Sequence, residues 1–302
     1  MKVLVTGSTG FIGSALVASM KAGGHEVTRL VRNNVPTDTK TARWDPAAGT
    51  IDVAALEGIE GVVHLAGEGI GDKRWSEAHK KRVFESRVHG TGLLARTLAQ
   101  LDAPPKAMVS ASAMGYYGRR GAEILTEESS SGTGFIPDLC RQWESATGPA
   151  EEAGVRVAHT RNSLVLGTGG GILGKMLLPF RLGLGAKLSS GRQYMSWVTL
   201  GDMVRAIEFL LGHSAAEGPF NVSTPNPITN LEFTKALGKA LRRPALLTVP
   251  KAAIALVFTS EAADELTGSQ RMIPEKLERA GFSLEHPELE GALEDVLHKP
   301  AA

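Results

Sequence analysis

Cysteine is almost missing from this chain: Cys140 is the only one in 302 residues. A single cysteine excludes an intramolecular disulfide and a cysteine-based metal cluster. It also fits a reducing compartment, so a cytoplasmic location is expected. The eight histidines show neither a His-Glu-x-x-His helix nor a ligand spacing with cysteine, so no metal site is expected. Neither sign of charge dominates. Lys and Arg number 33 against 32 Asp and Glu, a net charge of +1, which leaves no overall field to draw the chain to nucleic acid or an anionic membrane. Long apolar runs are absent as well. Val3-Leu4-Val5 is far too short for a signal-peptide core, and nothing later approaches the roughly 20 residues of a membrane span. No targeting segment and no membrane partner are therefore expected. Aromatic residues make up 5%, and none of the three tyrosines precedes a lysine by four positions, where Arg120, Gly121 and Val198 stand instead.

What is present is an ordinary globular composition, 42% hydrophobic, in a chain long enough for one large domain and a smaller one. Short β-branched runs alternate with helical stretches through the first half, the pattern of βαβ units building a parallel sheet. Strands are expected at Val3–Val5, Glu26–Val31, Gly61–Gly67, Ala107–Ser112 and Val155–Ala158. Helices are expected at Phe11–Lys21, Trp75–Leu101 and Asp138–Ala153. Beyond Gly167 glycines cluster as far as Gly191; then a strand end and helix over Trp197–Leu211 and a strand at Pro219–Val222 return to the sheet. Helices at Leu231–Leu241 and Ile254–Leu266, punctuated by proline, suggest a mainly helical lobe. The expected fold is α/β: a Rossmann-type doubly wound parallel sheet over residues 1–166 and 196–224, with a smaller, mainly helical C-terminal substrate lobe over 167–195 and 225–302.

The strongest local signal is Thr6-Gly7-Ser8-Thr9-Gly10-Phe11-Ile12-Gly13, directly after the first strand and opening the first helix. Glycines at 7, 10 and 13 permit a tight turn, close approach of backbone N–H groups to a pyrophosphate, and close helix–strand packing. The helix N-terminus then favours an anion. In such sites an acidic residue at the end of the second strand binds a ribose 2′-hydroxyl, whereas an arginine accepts a 2′-phosphate. Here that end reads Val31-Arg32, which favours NADP(H) over NAD(H). Arg32 as a solvated charge, with Asp38 or Asp45 reaching the ribose, is the alternative.

Gly169-Gly170-Gly171-Ile172-Leu173-Gly174-Lys175-Met176 has phosphate-loop spacing but lacks the hydroxyl that holds Mg²⁺, which argues against an NTPase. Lys175, Arg181 and Arg192 could grip an anionic substrate group or be solvated loop charges. Ser112, near a strand's carboxyl end, could bond a substrate carbonyl or hydroxyl. Tyr116 or Tyr117 could carry a proton, although packing roles are the ordinary use of such tyrosines. His64, in an apolar strand, reads as a satisfied core histidine.

Taken together, Thr6-Gly-x-x-Gly-Phe-Ile-Gly13, His64-Leu-Ala-Gly67, Ser110-Ala-Ser112 and Tyr117-Gly118 resemble the extended short-chain dehydrogenase/reductase superfamily. Gly115-Tyr-Tyr-Gly118, Leu139-Cys-x-x-Trp143-Glu144, Gly170 to Gly185 and Gly191-Arg-Gln-Tyr194 resemble its atypical "epimerase family protein" group, which has a C-terminal domain of unknown function. The resemblance implies that the backbone at Ser8 to Ile12 cradles the pyrophosphate and that Arg32 meets the 2′-phosphate. It also implies that Leu65-Ala66, before Gly67, lies beside adenosine or ribose, that Arg87 is at the cofactor, and that Val165 borders the nicotinamide. Ser86 stands where many relatives have asparagine. The superfamily's Tyr–Lys pair is missing: Phe135 or Ile136 falls at the tyrosine position and Leu139 or Cys140 at the lysine position. The expected function is accordingly an NADP(H)-dependent oxidoreductase or epimerase of atypical site, acting on a small carbonyl or sugar-nucleotide-like molecule. A cofactor-binding sensor or scaffold is the alternative, and substrate-assisted redox chemistry a third.

Overall fold

The computed structural model describes residues 1–32, 40–71 and 73–298. Asp38, one of the two acidic alternatives for the ribose, lies outside them. Eight strands form the main sheet: β1 (Lys2–Thr6), β2 (Glu26–Val31), β3 (Lys40–Asp45), β4 (Thr50–Ile51), β5 (Gly61–His64), β6 (Ala107–Ala113), β7 (Arg156–Asn162) and β8 (Gly218–Val222). Their spatial order is β8-β7-β6-β5-β1-β2-β3-β4. Only the terminal β3–β4 pair is antiparallel. The chain runs outward from β1 in one direction through β2 and β3, then returns to the other side of β1 with β5. The order therefore reverses at β1/β5, where an open α/β sheet leaves a crevice at its carboxyl edge.

Alternation along the strands supplies both faces of the sheet. Val3, Val5, Val63 and Val109 pack against Leu16, Val17 and Met20 of α1 (Phe11–Ala22) and against α5 (Leu200–Gly212). Leu4, Val62, Met108 and Val157 pack on the opposite face against Leu94, Ala95 and Leu98 of α2 (Glu77–Ala99). Each such side chain, fully buried, contributes about 1.5–3 kcal/mol.

Helix α3 runs Phe135–Ser145 and is broken before a short helical turn at Gly148–Glu152. The sequence predicts one helix from Asp138; Gly148-Pro149 divides it, because proline lacks the N–H that a continuous helix would use. Helix α4 (Gly171–Arg181) lies inside the glycine-rich stretch. It joins α6 (Asn230–Ala240) and α9 (Leu289–His298) around a second core of Leu173, Leu177, Phe180, Phe233, Leu237 and Leu293. Leu166 and Trp197 complete this core from the sheet-domain side. The expected helix at Ile254–Leu266 is two, α7 (Lys251–Val257) and α8 (Ser260–Leu266), the second capped by the Thr259 hydroxyl accepting from Ala262 N–H. Among the described residues no helix is long and apolar enough to cross a membrane.

Candidate functional site

The glycine turn sits at the reversal point, and its glycines answer to geometry. Gly7 has φ +64°, and a Cβ there would lie 2.7 Å from the carbonyl carbon of Leu65. A Cβ on Gly13 would stand 2.2 Å from the Gly7 oxygen. The first turn of α1 therefore lies directly on the loop, and Gly10 N–H donates to Gly7 O at 2.9 Å.

A buried polar chain sets the loop's foundation. The Thr6 hydroxyl accepts from the N–H groups of Leu65 and Ala66, both at 3.1 Å. It therefore donates to His64 Nδ1 at 2.8 Å, and His64 Nε2–H donates to the Thr91 hydroxyl at 2.9 Å. Burial holds the imidazole neutral, with its pKa lowered to about 4. The reading of His64 as a satisfied core histidine thus acquires a specific role: it ties β1, β5 and α2 together beneath the turn. Arg29, which no motif marks, donates from Nε to the Ser8 hydroxyl at 3.0 Å and from Nη2 to the Ser8 carbonyl at 2.9 Å. The buried Ser8 side chain is thereby held by β2, and its backbone remains on the cleft wall.

The cleft above the turn has a volume of about 630 Å³. Gly7, Ser8, Thr9 and Gly10 line it, with Val31 and Arg32 at the end of β2 and Leu65, Ala66 and Gly67 after β5. Asp45 lines it too, and Arg32 is exposed there. Not every expected cofactor residue reaches this cleft. Ile12 and Val165 pack against the sheet core. The Phe11 ring fills the space beside Gly167, Gly170 and Gly171, where a Cβ would come within 2.7, 2.9 and 3.1 Å of it. Arg87 stands behind the wall: Nη1 donates to Glu68 O at 2.8 Å, the guanidinium stacks over Trp143 at 5.0 Å, and a Gly67 Cβ would lie 3.1 Å from it. Burial lowers its pKa. Ser86 braces the same wall by accepting from Glu68 N–H at 2.9 Å.

At the carboxyl end of β6, Ser112 donates to Glu144 Oε1 at 2.6 Å. Glu144 is in turn gripped by Arg161, Nε to Oε1 at 2.9 Å and Nη2 to Oε2 at 2.8 Å. Arg161 Nη1 also donates to the Tyr117 hydroxyl at 3.0 Å, and that hydroxyl donates to Asn221 Oδ1 at 2.6 Å. Burial works against the guanidinium charge, but Glu144 outweighs it and the Arg161 pKa rises. Tyr117 is fully buried, and burial pushes its hydroxyl up to about 12. This phenol is built into the sheet's scaffold rather than poised over the cleft. Tyr116 is half-buried, its ring centroid 3.4 Å from the Arg161 guanidinium carbon. Ser112, with its proton committed to Glu144, can still accept a hydrogen bond.

At the positions where the superfamily places Tyr and Lys, all four options, Phe135, Ile136, Leu139 and Cys140, lie on α3, and Ile136, Leu139 and Cys140 are buried. Ile136 and Cys140 belong to an apolar cluster with Trp75 and Ala262, against which Phe135, Ile70, Ala113, Tyr116 and Phe258 pack. Burial pushes the Cys140 thiol up to about 12. The expected anion grip is spread out. Lys175 donates to Gly71 O at 3.1 Å, bridging α4 to the loop after β5. Arg181 is exposed at the far end of α4, where its carbonyl accepts from Arg243 at 3.0 Å. Arg192 is exposed on a turn, its backbone N–H donating to the Ser190 hydroxyl at 3.3 Å.

Comparison with known proteins agrees with this architecture. The NAD dependent epimerase/dehydratase family model matches residues 3–223, and a domain of unknown function, DUF1731, matches 249–296. Epimerase family protein Mb2239 of Mycobacterium bovis is 42% identical over 298 residues, covering 99% of this chain and 98% of that protein. Human epimerase family protein SDR39U1 is 37% identical over 300 residues, covering 98% and 100%. The crystal structure of human SDR39U1 (isoform 2) with NADPH superposes with a TM-score of 0.91 at 36% identity, over 98% of this chain and 99% of that one. This chain therefore belongs to the NAD dependent epimerase/dehydratase family, with an NAD(P)-binding dehydrogenase-like fold and a DUF1731 C-terminal region.

Proposed function

We propose that the chain binds NADP(H) in preference to NAD(H) and acts as an oxidoreductase or epimerase of atypical site on a small carbonyl or sugar-nucleotide-like molecule. The observation that carries the cofactor reading is the 630 Å³ cleft, floored by a turn that tolerates no Cβ at Gly7 or Gly13 and bounded by Arg32 at the end of β2. These residues fit a dinucleotide: bare backbone for the pyrophosphate, an α1 N-terminus for its charge, a guanidinium for a 2′-phosphate. The human relative solved with NADPH supports the same reading. A bound nicotinamide supplies hydride chemistry. The protein's part is then to fix the cofactor with the turn, and to orient substrate at the carboxyl end of β6, where Ser112 stands buried against Glu144.

Calorimetric titration with NADPH, NADP⁺, NADH and NAD⁺ tests this directly. Arg32→Ala should weaken NADPH binding by about 10- to 100-fold, the worth of a charge-assisted contact, and leave NADH nearly unchanged. Equal affinity for NADH and NADPH in the native chain would overturn the preference. The apolar cluster at the Tyr–Lys position and the sealed Tyr117 favour a second reading, a cofactor-binding sensor or scaffold without turnover. Retention of label from deuterated NADPH across a broad panel of carbonyl compounds and sugar nucleotides would select it.

A further inference from the structure

The balance of charge over the whole chain conceals a separation of charge within it. Residues 167–201 and 233–260 hold nine Lys and Arg and no Asp or Glu, so a chain of net +1 carries −8 elsewhere. The two stretches meet at the C-terminal end of α4. There Arg243 Nε donates to the Arg181 carbonyl at 3.0 Å, Leu247 N–H donates to Gly185 O at 3.1 Å, and Ala186–Leu188 pairs in parallel with Leu247–Val249. Gly183 and Gly185 bring the two backbones together: a Cβ on Gly183 would lie 3.6 Å from Pro244, and one on Gly185 2.8 Å from the Ala245 Cβ. What this platform displays is leucine. Leu178, Leu182, Leu184, Leu246 and Leu247 are between 50% and 87% exposed. Leu178 and Leu182 stand one turn apart at the end of α4, and Leu184 N–H donates to Pro179 O at 2.9 Å. Exposed leucines scattered singly are ordinary, whereas five on one junction mark an interaction surface. Arginines share it. Arg181, Arg242 and Arg243 are all exposed. Arg242 has φ +53° just after the Leu241 cap of α6, where its N–H donates to Lys239 O and that of Arg243 to Gly238 O. Glycine is the residue this left-handed position favours. Arginine there costs stability, which fits a use for its charge.

We propose that this face docks on an anionic lipid bilayer, the leucines entering the boundary between headgroups and acyl chains while Arg181, Arg242 and Arg243 meet lipid phosphates. The overall net charge argues against a membrane partner only because it averages this face with the acidic remainder of the chain. The protein lies on the bilayer and does not span it, in keeping with the lack, among the described residues, of a helix long and apolar enough to cross one. Two features select lipid over protein. Leu246, 87% exposed, projects from the platform instead of lining a groove in which a partner's helix could settle. A second copy joined by a two-fold axis would set arginines against arginines, because such an interface repeats one patch on both sides. The anion that the sequence suggests for Arg181 is then a lipid phosphate.

The test is flotation of the full chain with vesicles of phosphatidylcholine alone and of phosphatidylcholine mixed with phosphatidylglycerol, in low and high salt. The native chain should float with the mixed vesicles, several-fold less in high salt, and stay behind with phosphatidylcholine alone. Leu182→Ser combined with Leu246→Ser should lower vesicle affinity about 10-fold or more, the worth of two apolar side chains withdrawn from the boundary. Both positions are exposed, so the urea midpoint should hold. Arg242→Gly should lower vesicle affinity about 5-fold, the worth of one basic residue near the surface, while raising the urea midpoint, because glycine relaxes the end of α6. A residue kept for structure alone would not move the two readouts in opposite senses. No flotation of the native chain, equal flotation with both kinds of vesicle, or native-like flotation of either variant overturns the proposal. A leucine-dependent dimer in light scattering, or binding of an acidic amphipathic peptide, overturns it likewise when no vesicle binding accompanies it.

Discussion

His64 illustrates how one side chain can carry a cofactor site without touching it. Its neutral ring accepts from Thr6 and donates to Thr91, so a proton added at Nδ1 would face a hydroxyl that is already donating. The folded pKa of about 4 lies below the ordinary 6.5. The unfolded chain therefore takes up the proton first as pH falls. Stability from this group is complete above about pH 6.5 and is lost progressively as pH drops toward 4, by about 3 kcal/mol in all. Urea denaturation of the native chain at pH 7 and pH 4.5 should show this loss, and His64→Asn, though less stable at pH 7, should show a smaller acid dependence. An equal dependence in both would remove His64 from the acid transition. At this scale the sequence was legible where chemistry is local. Gly7, Gly10, Gly13 and Arg32 announce themselves within one strand–turn–helix unit. Arg29 does not, because its partner Ser8 lies 21 residues away and nothing in their spacing signals the contact.

Among elements, β6, β7 and α3 are joined by one ion pair. Arg161 and Glu144 are nearly sealed, with side chains 4% and 12% exposed, and Ser112 supplies one more donor. Removing one partner strands the other's charge, so Glu144→Ala should destabilise the fold by about 3–5 kcal/mol, measured by urea titration. Ser112→Ala removes a single hydrogen bond and should cost about 1–2 kcal/mol. If the two variants lost the same amount, the ion pair would not be the tie between these elements. The sequence marked Trp143-Glu144 as a motif and left its role blank, since Arg161 is 17 residues away on another element. Local pattern explains the other differences too. β3 hides in a polar stretch whose period-two alternation buries only Ala42 and Trp44. Helix α4 hides among glycines whose smallness serves the Phe11 ring rather than a loop.

For the whole molecule, the decisive arrangement is the seating of the C-terminal region on the sheet domain over Cys140. That thiol is 2% exposed and covered by Ala262, and burial pushes its pKa up to about 12, so the closed state offers little thiolate. Labelling by a disulfide reagent must therefore wait for the lobes to part locally, and as the chain's single cysteine Cys140 reports that opening without background. Glu261→Ala removes the α8–α2 ion pair and should speed labelling only a few-fold, since such partly exposed pairs are worth under about 1 kcal/mol. Ala262→Asp places an unpaired charge inside the apolar cluster and should speed it by about 100-fold or more. NADPH titrated into the same variants separates the halves of the site. The glycine turn and Arg32 belong wholly to the sheet domain, so cofactor affinity should survive an opening that exposes Cys140. Parallel loss of cofactor binding and thiol protection would mean instead that the two lobes form one inseparable binding unit.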